Sequence, residues 1–247
     1  MIHIRQASRS FRSASGLTRA LKSLDLEIGR GEFLVLTGAN GSGKSTLLNI
    51  ISGSLSLDEG SIFFGAKRID KFSEHQRSKW ISRIFQDPHA GTAADLTVIE
   101  NFRLASLRTR SKNLKTGIDK KFIGLVRENI ALLGLGLENK TAQQMGSLSG
   151  GERQALTLVM AVMDKSEILL MDEPTAALDP ATAVVLLEKA TALIEEKQLT
   201  TILVTHNLKE AHKYGNRLIQ MKEGSIFRDV NASEKKNLAL SDIYAWF

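Results

Sequence analysis

Three glycines, a lysine and a following serine lie within "GANGSGKST", Gly38 to Thr46. The order fits G-x-x-x-x-G-K-[ST], with Gly38, Ala39, Asn40, Gly41, Ser42, Gly43, Lys44 and Ser45 in register and Thr46 after them. Glycines let backbone N–H groups curl around phosphate oxygens, and a helix start adds partial positive charge there. A lysine at this place reaches the outer phosphates of a nucleotide, and the serine hydroxyl suits Mg²⁺. The stretch follows the apolar run "GEFLVLTG" and precedes "LLNIISG", the strand–loop–helix setting that gives this pattern its meaning.

Acidic residues with a matching chemistry come later. "ILLMDE" ends an apolar run in Asp172 and Glu173. Asp172, carried to the sheet edge, is expected to hold the Mg²⁺ shell. Glu173 points another way and can orient and polarise a water for attack on a phosphate. His206 closes the next run, "LTTILVTHN", and should lie on the same edge if the two strands are parallel neighbours. Gln86 ends "ISRIFQ", where an amide could contact Mg²⁺ or the attacking water. Elsewhere a strand-end acid, a lone histidine or a glutamine would be read as ordinary surface; the phosphate loop in the same chain changes that reading.

"LSGGERQ", Leu148 to Gln154, raises a different question. Ser149, Gly150 and Gly151 form a second helix start able to bind an anion, but without a lysine. The first loop already supplies a full cradle. A weak second donor set makes sense if it completes a site on another copy of the chain, two copies closing two sites by symmetry.

These residues need a scaffold. Strands alternating with helices such as "ATAVVLLEKATALIEEKQ" argue for a mainly parallel sheet with crossovers. The N-terminal segments "MIHIRQASRSF" and "LKSLDLEIGRGE" alternate like antiparallel strands, with "GSIFFGAKRID" a third. The fold class expected is α/β: a P-loop NTPase core, an N-terminal antiparallel β subdomain and an inserted helical subdomain. One domain is expected over 1–247, with a helical lobe at about 73–162 that includes "LSGG". The lobe carries Arg103, Arg108, Arg110, Lys112, Lys115, Lys120 and Lys121. The tail "NLALSDIYAWF" reads as a short docking helix with Leu238, Leu240, Ile243, Tyr244 and Trp246 as its apolar positions.

Composition narrows the classes. The absence of cysteine excludes thiolate metal sites and disulfides. No signal-like apolar segment opens the chain and no run reaches bilayer length, so a chain without a membrane span is expected. The net charge of +6 fits contact with nucleotide, nucleic acid or an anionic membrane face without choosing among them.

The phosphate loop, "FQDP", "LSGGERQ", "ILLMDEPTAALDP" and "THN" occur in the order found in ATP-binding subunits of ABC transporters, and the chain resembles that family over nearly its whole length. "LSGG" is the discriminating motif, since many other P-loop proteins share the phosphate loop and the acidic strand end but not this stretch. The resemblance implies ATP and Mg²⁺ as cofactors and a head-to-tail dimer holding two ATP molecules. It implies that Ser149 and Gly151 touch the γ-phosphate in the opposite subunit, that Asp179 crosses the interface, and that Gln86 links ATP to a transmembrane permease. Phe11 stands where the family stacks an aromatic ring on adenine. A peripheral position on the cytoplasmic face of the membrane follows, with a substrate-binding protein as an indirect partner and no nucleic acid. Glu152, Ala177 and Asn207 depart from the commoner glutamine, serine and aspartate without removing a catalytic group. "FQDPHAGTAADLTVIENF" and "KYGNRLIQM" look like ATPases of uptake systems for amino acids or similar small solutes. The alternative is a soluble ABC ATPase acting on nucleic acid or the ribosome. Repair ATPases of that class insert long coiled coils or zinc modules, and ribosome-acting ones carry two ATPase domains.

Overall fold

The structure is a computed structural model and describes residues 1–13, 16–108, 117–163 and 166–247. Arg110, Lys112 and Lys115 of the basic stretch lie outside the described residues. The strands are β1 (Ile2–Ser13), β2 (Gly16–Ile28), β3 (Phe33–Thr37), β4 (Glu59–Phe64), β5 (Lys67–Arg68), β6 (Ile81–Ile84), β7 (Ile168–Asp172), β8 (Thr200–Val204), β9 (Arg217–Lys222) and β10 (Ser225–Val230). The helices are α1 (Lys44–Ser52), α2 (Glu74–Arg77), α3 (Val98–Ser106), α4 (Lys120–Ala131), α5 (Gly150–Met163), α6 (Pro180–Lys197), α7 (Leu208–Lys213), α8 (Ala232–Asn237) and α9 (Leu240–Tyr244).

Two sheets form. One has the order β2-β1-β4-β5 and is antiparallel; the other runs β10-β9-β3-β8-β7-β6. In the second, β6, β7, β8, β3 and β9 are mutually parallel and β10 closes the edge antiparallel. Strands β3, β7 and β8 are buried along their whole length. Apolar runs without polar alternation are what a sheet covered on both faces demands. Alternation instead sorts their side chains between two cores. Leu34, Leu36, Ile168, Leu170, Ile202 and Val204 pack toward α1 and the antiparallel sheet. Phe33, Val35, Leu169, Met171 and Leu203 pack on the other face, with α3, α4, α5 and α6. Replacing one such leucine by alanine costs roughly 2–5 kcal/mol.

The stretch of about 73–162, expected to be a helical lobe, contains β6. Ile81 and Ile84 are buried on opposite faces, and Ile81–Ile84 pairs in parallel with Ile168–Met171. Four residues with apolar positions on both faces are too short for a stable helix and suit an edge strand. Thr97 and Asp119 cap α3 and α4 through their side chains. The basic stretch divides: Lys120 and Lys121 are exposed, whereas Arg108 donates to the Ser82 hydroxyl at 2.8 Å and the Ser166 hydroxyl at 2.9 Å. At the tail, Ile243 is buried, but Tyr244 is 53% exposed, which corrects its reading as a docking position. With Ile243 turned inward, the next residue of so short a helix faces solvent. No helix among the described residues is long and apolar enough to cross a membrane.

Candidate functional site

Strands β7, β8 and β3 are adjacent and parallel, so their C-terminal ends meet on one edge. The segments leaving that edge begin at Glu173, Thr205 and Gly38. Ligands of open α/β sheets bind outside the carboxyl ends of the strands.

The loop after β3 needs its glycines. Gly38 has φ +149°, and a Cβ on it would come within 2.3 Å of the Met221 carbonyl oxygen. Gly43 has φ +104°, and its Cβ would come within 2.5 Å of the Ala20 carbonyl oxygen. The backbone therefore turns tightly against β9 and β2, with the Ser42 N–H donated to the Ala39 carbonyl within the loop. Lys44 opens α1, is buried, and donates to the carbonyl oxygens of Gly38 at 2.8 Å and Ala39 at 3.0 Å. Burial pushes its ammonium below the usual lysine range, against the opposing pull of the Glu173 and Asp172 carboxylates. A desolvated cation gains from an anion placed beside it.

The Ser45 hydroxyl lies 3.4 Å from Asp172 Oδ1. Hydroxyl and carboxylate oxygens are the hard donors Mg²⁺ prefers, and the pair fits that ion by its chemistry. Glu173 follows Asp172 with φ +45°, a left-handed backbone uncommon for a residue with a side chain. Its N–H donates to the Val204 carbonyl at 3.0 Å, which fixes the turn. The turn brings Glu173 Oε2 to 2.9 Å from His206 Nδ1. Such strain, held by its surroundings, clusters at functional sites.

One cavity of about 900 Å³ gathers most of these groups. It is lined by Phe11, Gly38, Ala39, Asn40, Gly41, Gly43, Lys44, Ser45, Thr46, Gln86, Glu173 and His206, together with Thr18, Ala20, Leu208 and Phe247. Ser42 is buried and does not line it; Asp172 does not line it either, and meets the cavity group through the Ser45 hydroxyl and through its charge on Lys44. Phe11 pairs with Thr18 across β1 and β2, so the hairpin forms one wall. The left-handed turn at Glu173, the hairpin partners Thr18 and Ala20, and Phe247 are features that motif reading did not single out. The alternation of the two N-terminal segments signals an antiparallel pair, but the β2 residues Thr18 and Ala20 precede the second expected segment, which begins at Leu21.

Ser149, Gly150, Gly151 and Asp179 do not line this cavity. They form a second locus, where the starts of α5 and α6 abut. A Cβ on Gly151 would meet Thr182 Cγ2 at 2.8 Å, and Asp179 caps α6 by accepting from the N–H groups of Ala181 and Thr182. Ser149 and Glu152 form a reciprocal cap: Ser149 N–H and Oγ each lie 3.0 Å from Glu152 Oε2, and the Glu152 N–H donates to Ser149 Oγ at 3.3 Å.

Comparison with known proteins gives the family. Residues 21–176 match the family described as ABC transporter. The chain is 39% identical to a tyrosine transport ATP-binding protein of Clostridioides difficile, over 100% of this chain and 98% of that protein. It is 30% identical to the phosphonates import ATP-binding protein PhnC of Agrobacterium fabrum, over 98% of this chain and 84% of that one. Among solved structures it resembles the dimeric ATP-binding cassette MJ0796 in a post-hydrolysis state with ADP and Pi, at 27% identity and TM-score 0.82, covering 94% and 99% of the two chains. The fold, the phosphate loop at the sheet edge and these relatives converge: the chain belongs to the ABC transporter family and is an ATP-binding, ATP-hydrolysing subunit that energises a membrane transporter.

Proposed function

We propose that this subunit powers uptake of an amino acid or similar small solute, hydrolysing ATP at two composite sites of a head-to-tail homodimer. The observation that carries the hydrolytic reading is the Glu173–His206 pair, 2.9 Å apart, facing the cavity that Lys44 opens. Glu173 accepts a proton from the attacking water and orients it. His206 holds the Glu173 carboxylate in place through Nδ1 and faces the terminal phosphate. Lys44 and the N–H groups from Gly38 to Thr46 bind the phosphates, with charge stabilisation that needs no rearrangement during reaction. Phe11 offers an apolar face to the base.

Ser45 and Gln86, with Asp172 behind Ser45, would hold Mg²⁺, which when bound neutralises phosphate charge. Ser149, Gly150, Gly151 and Asp179 serve the partner subunit's nucleotide. Their position away from this chain's own cavity supports that assignment. The full-length similarity to a tyrosine transport protein supports the solute class. Permease subunits contact the chain near Gln86, on the cytoplasmic face of the membrane, and a substrate-binding protein delivers the solute to them.

The test is reconstitution with the membrane subunits that co-purify with the chain. Tyrosine and related amino acids, with their binding protein, should stimulate ATP hydrolysis in proteoliposomes. Stimulation by other solute classes alone would overturn the amino acid reading and leave the ATPase reading standing.

A further inference from the structure

Arg83 on β6 belongs to none of the motifs, yet it sits beneath the site. Strand parity explains how it gets there. Arg83 shares the α1 face of the sheet with Ile81, and Asp172 shares it with Ile168 and Leu170. The guanidinium reaches both neighbours. Nη2 donates to Asp172 Oδ2 at 3.0 Å and Nη1 to Asn49 Oδ1 at 2.6 Å. Asn49 stands one helical turn after Ser45 on α1. The same guanidinium lies 4.8 Å from the ring centre of Phe85, the residue before Gln86. Both partners of the ion pair are 12% exposed, which shelters it from water and salt.

The two oxygens of Asp172 therefore have separate tasks. Oδ2 is taken by Arg83, and Oδ1 faces the Ser45 hydroxyl at 3.4 Å. A carboxylate at the end of a strand can otherwise rotate about its last torsion. A guanidinium that also grips α1 fixes that torsion relative to Ser45. A planar fork can do this; a single ammonium cannot span both acceptors. We propose that Arg83 is a positioning residue of the metal site, holding Asp172 through Oδ2 so that Oδ1 stays turned toward Ser45. The proposal rests on the reading of Ser45 and Asp172 as the Mg²⁺ donors.

Groups that orient metal-binding side chains matter roughly tenfold or more in metal affinity. The experiment uses the full chain, saturated with ADP and freed of excess nucleotide. Mn²⁺ is titrated in and free Mn²⁺ is counted by electron paramagnetic resonance. Arg83→Met should weaken Mn²⁺ binding roughly tenfold. Affinity for a fluorescent ATP analogue (TNP-ATP) in EDTA should stay within about twofold, a separation that general damage to the fold would not produce. Arg83→Lys keeps the charge without the fork and should shift Mn²⁺ affinity in the same direction by less; it carries the test if Arg83→Met does not fold. With Asp172→Asn already present, adding Arg83→Met should weaken Mn²⁺ no further, because Arg83 acts through Asp172. Unchanged or tighter Mn²⁺ binding in Arg83→Met, or additive losses in the double variant, would overturn the proposal. Lys44→Ala is the separate control: full TNP-ATP affinity there would sink the nucleotide site itself, whatever Arg83 does.

Discussion

The chain offers two helix starts suited to anions, and they are built differently. At α1 the donors open into a cavity of about 900 Å³, and the cation Lys44 is held by the carbonyl oxygens of Gly38 and Ala39, with the Glu173 and Asp172 carboxylates acting on it through space. At α5 the donors are partly spoken for. Ser149 is closed on the Glu152 carboxylate, and Glu152 is held in turn by Lys140 at 2.5 Å. The first start is a finished half-site. The second is a capped helix whose first turn carries no lysine and whose residues Ser149, Gly150 and Gly151 stand outside the Lys44 cavity. A helix N-terminus supplies a dipole and free N–H groups. What surrounds it decides whether those groups serve a ligand, a side chain or a neighbouring molecule.

The sharpest way to break this contrast is at the finished half. Glu173→Gln keeps the shape of the side chain but cannot take a proton, and turnover should fall on the order of 10²–10⁴-fold while ATP still binds. Light scattering should then find a monomer without nucleotide and a dimer with Mg-ATP, since a ligand that contacts both chains favours the closed form. ADP should not substitute. Lys44→Ala should lower kcat on the order of 10²–10³-fold with an unchanged circular dichroism spectrum. Turnover equal to the parent would remove Lys44 from the site.

The next prediction addresses the second start. Adding Ser149→Arg to Glu173→Gln should hold the protein monomeric in Mg-ATP although the nucleotide still binds. Dimerisation as ready as in the single variant would mean that α5 is not at the interface. The smallest effect concerns Glu152. The hydrogen bond from Lys140, then that from the Ser149 N–H, hold its carboxyl below the usual glutamate value of 4.5. A lowered folded value makes this a stabilisation present above pH 4.5 and lost as pH falls through the folded value. Glu152→Gln should therefore cost less than about 1 kcal/mol at pH 7, by denaturant midpoints. The gap between variant and parent should close in acid, and a gap that widens there would refute the cap.

Much of the first site was legible in the sequence because its information is local. Gly38 to Thr46 carry spacing, charge and context in one stretch, and no distant residue is needed to recognise them. The pairing of Glu173 with His206 was half legible: two apolar runs ending in an acid and a histidine imply a shared edge, but not contact. The left-handed turn that makes the contact is a backbone event, and glutamate carries no sign of it as glycine would. Arg83 was hidden differently. Its role depends on the register of β6 against β7, and the expectation of a helical lobe over about 73–162 concealed the strand that sets it. Tyr244 failed for want of context, since an aromatic near a chain end reads as apolar whether or not a surface waits for it.

The turn at Glu173 also bears on any attempt to improve this protein. A side chain held at φ +45° carries strain on the order of 1 kcal/mol that glycine would not. Glu173→Gly should thus raise the melting temperature while removing the residue placed to act on water. A library selected for heat resistance alone would drift toward that substitution, and its most durable members would be silent enzymes. Selection at this position has to be scored on turnover and melting temperature together, because here the two pull the same residue in opposite directions.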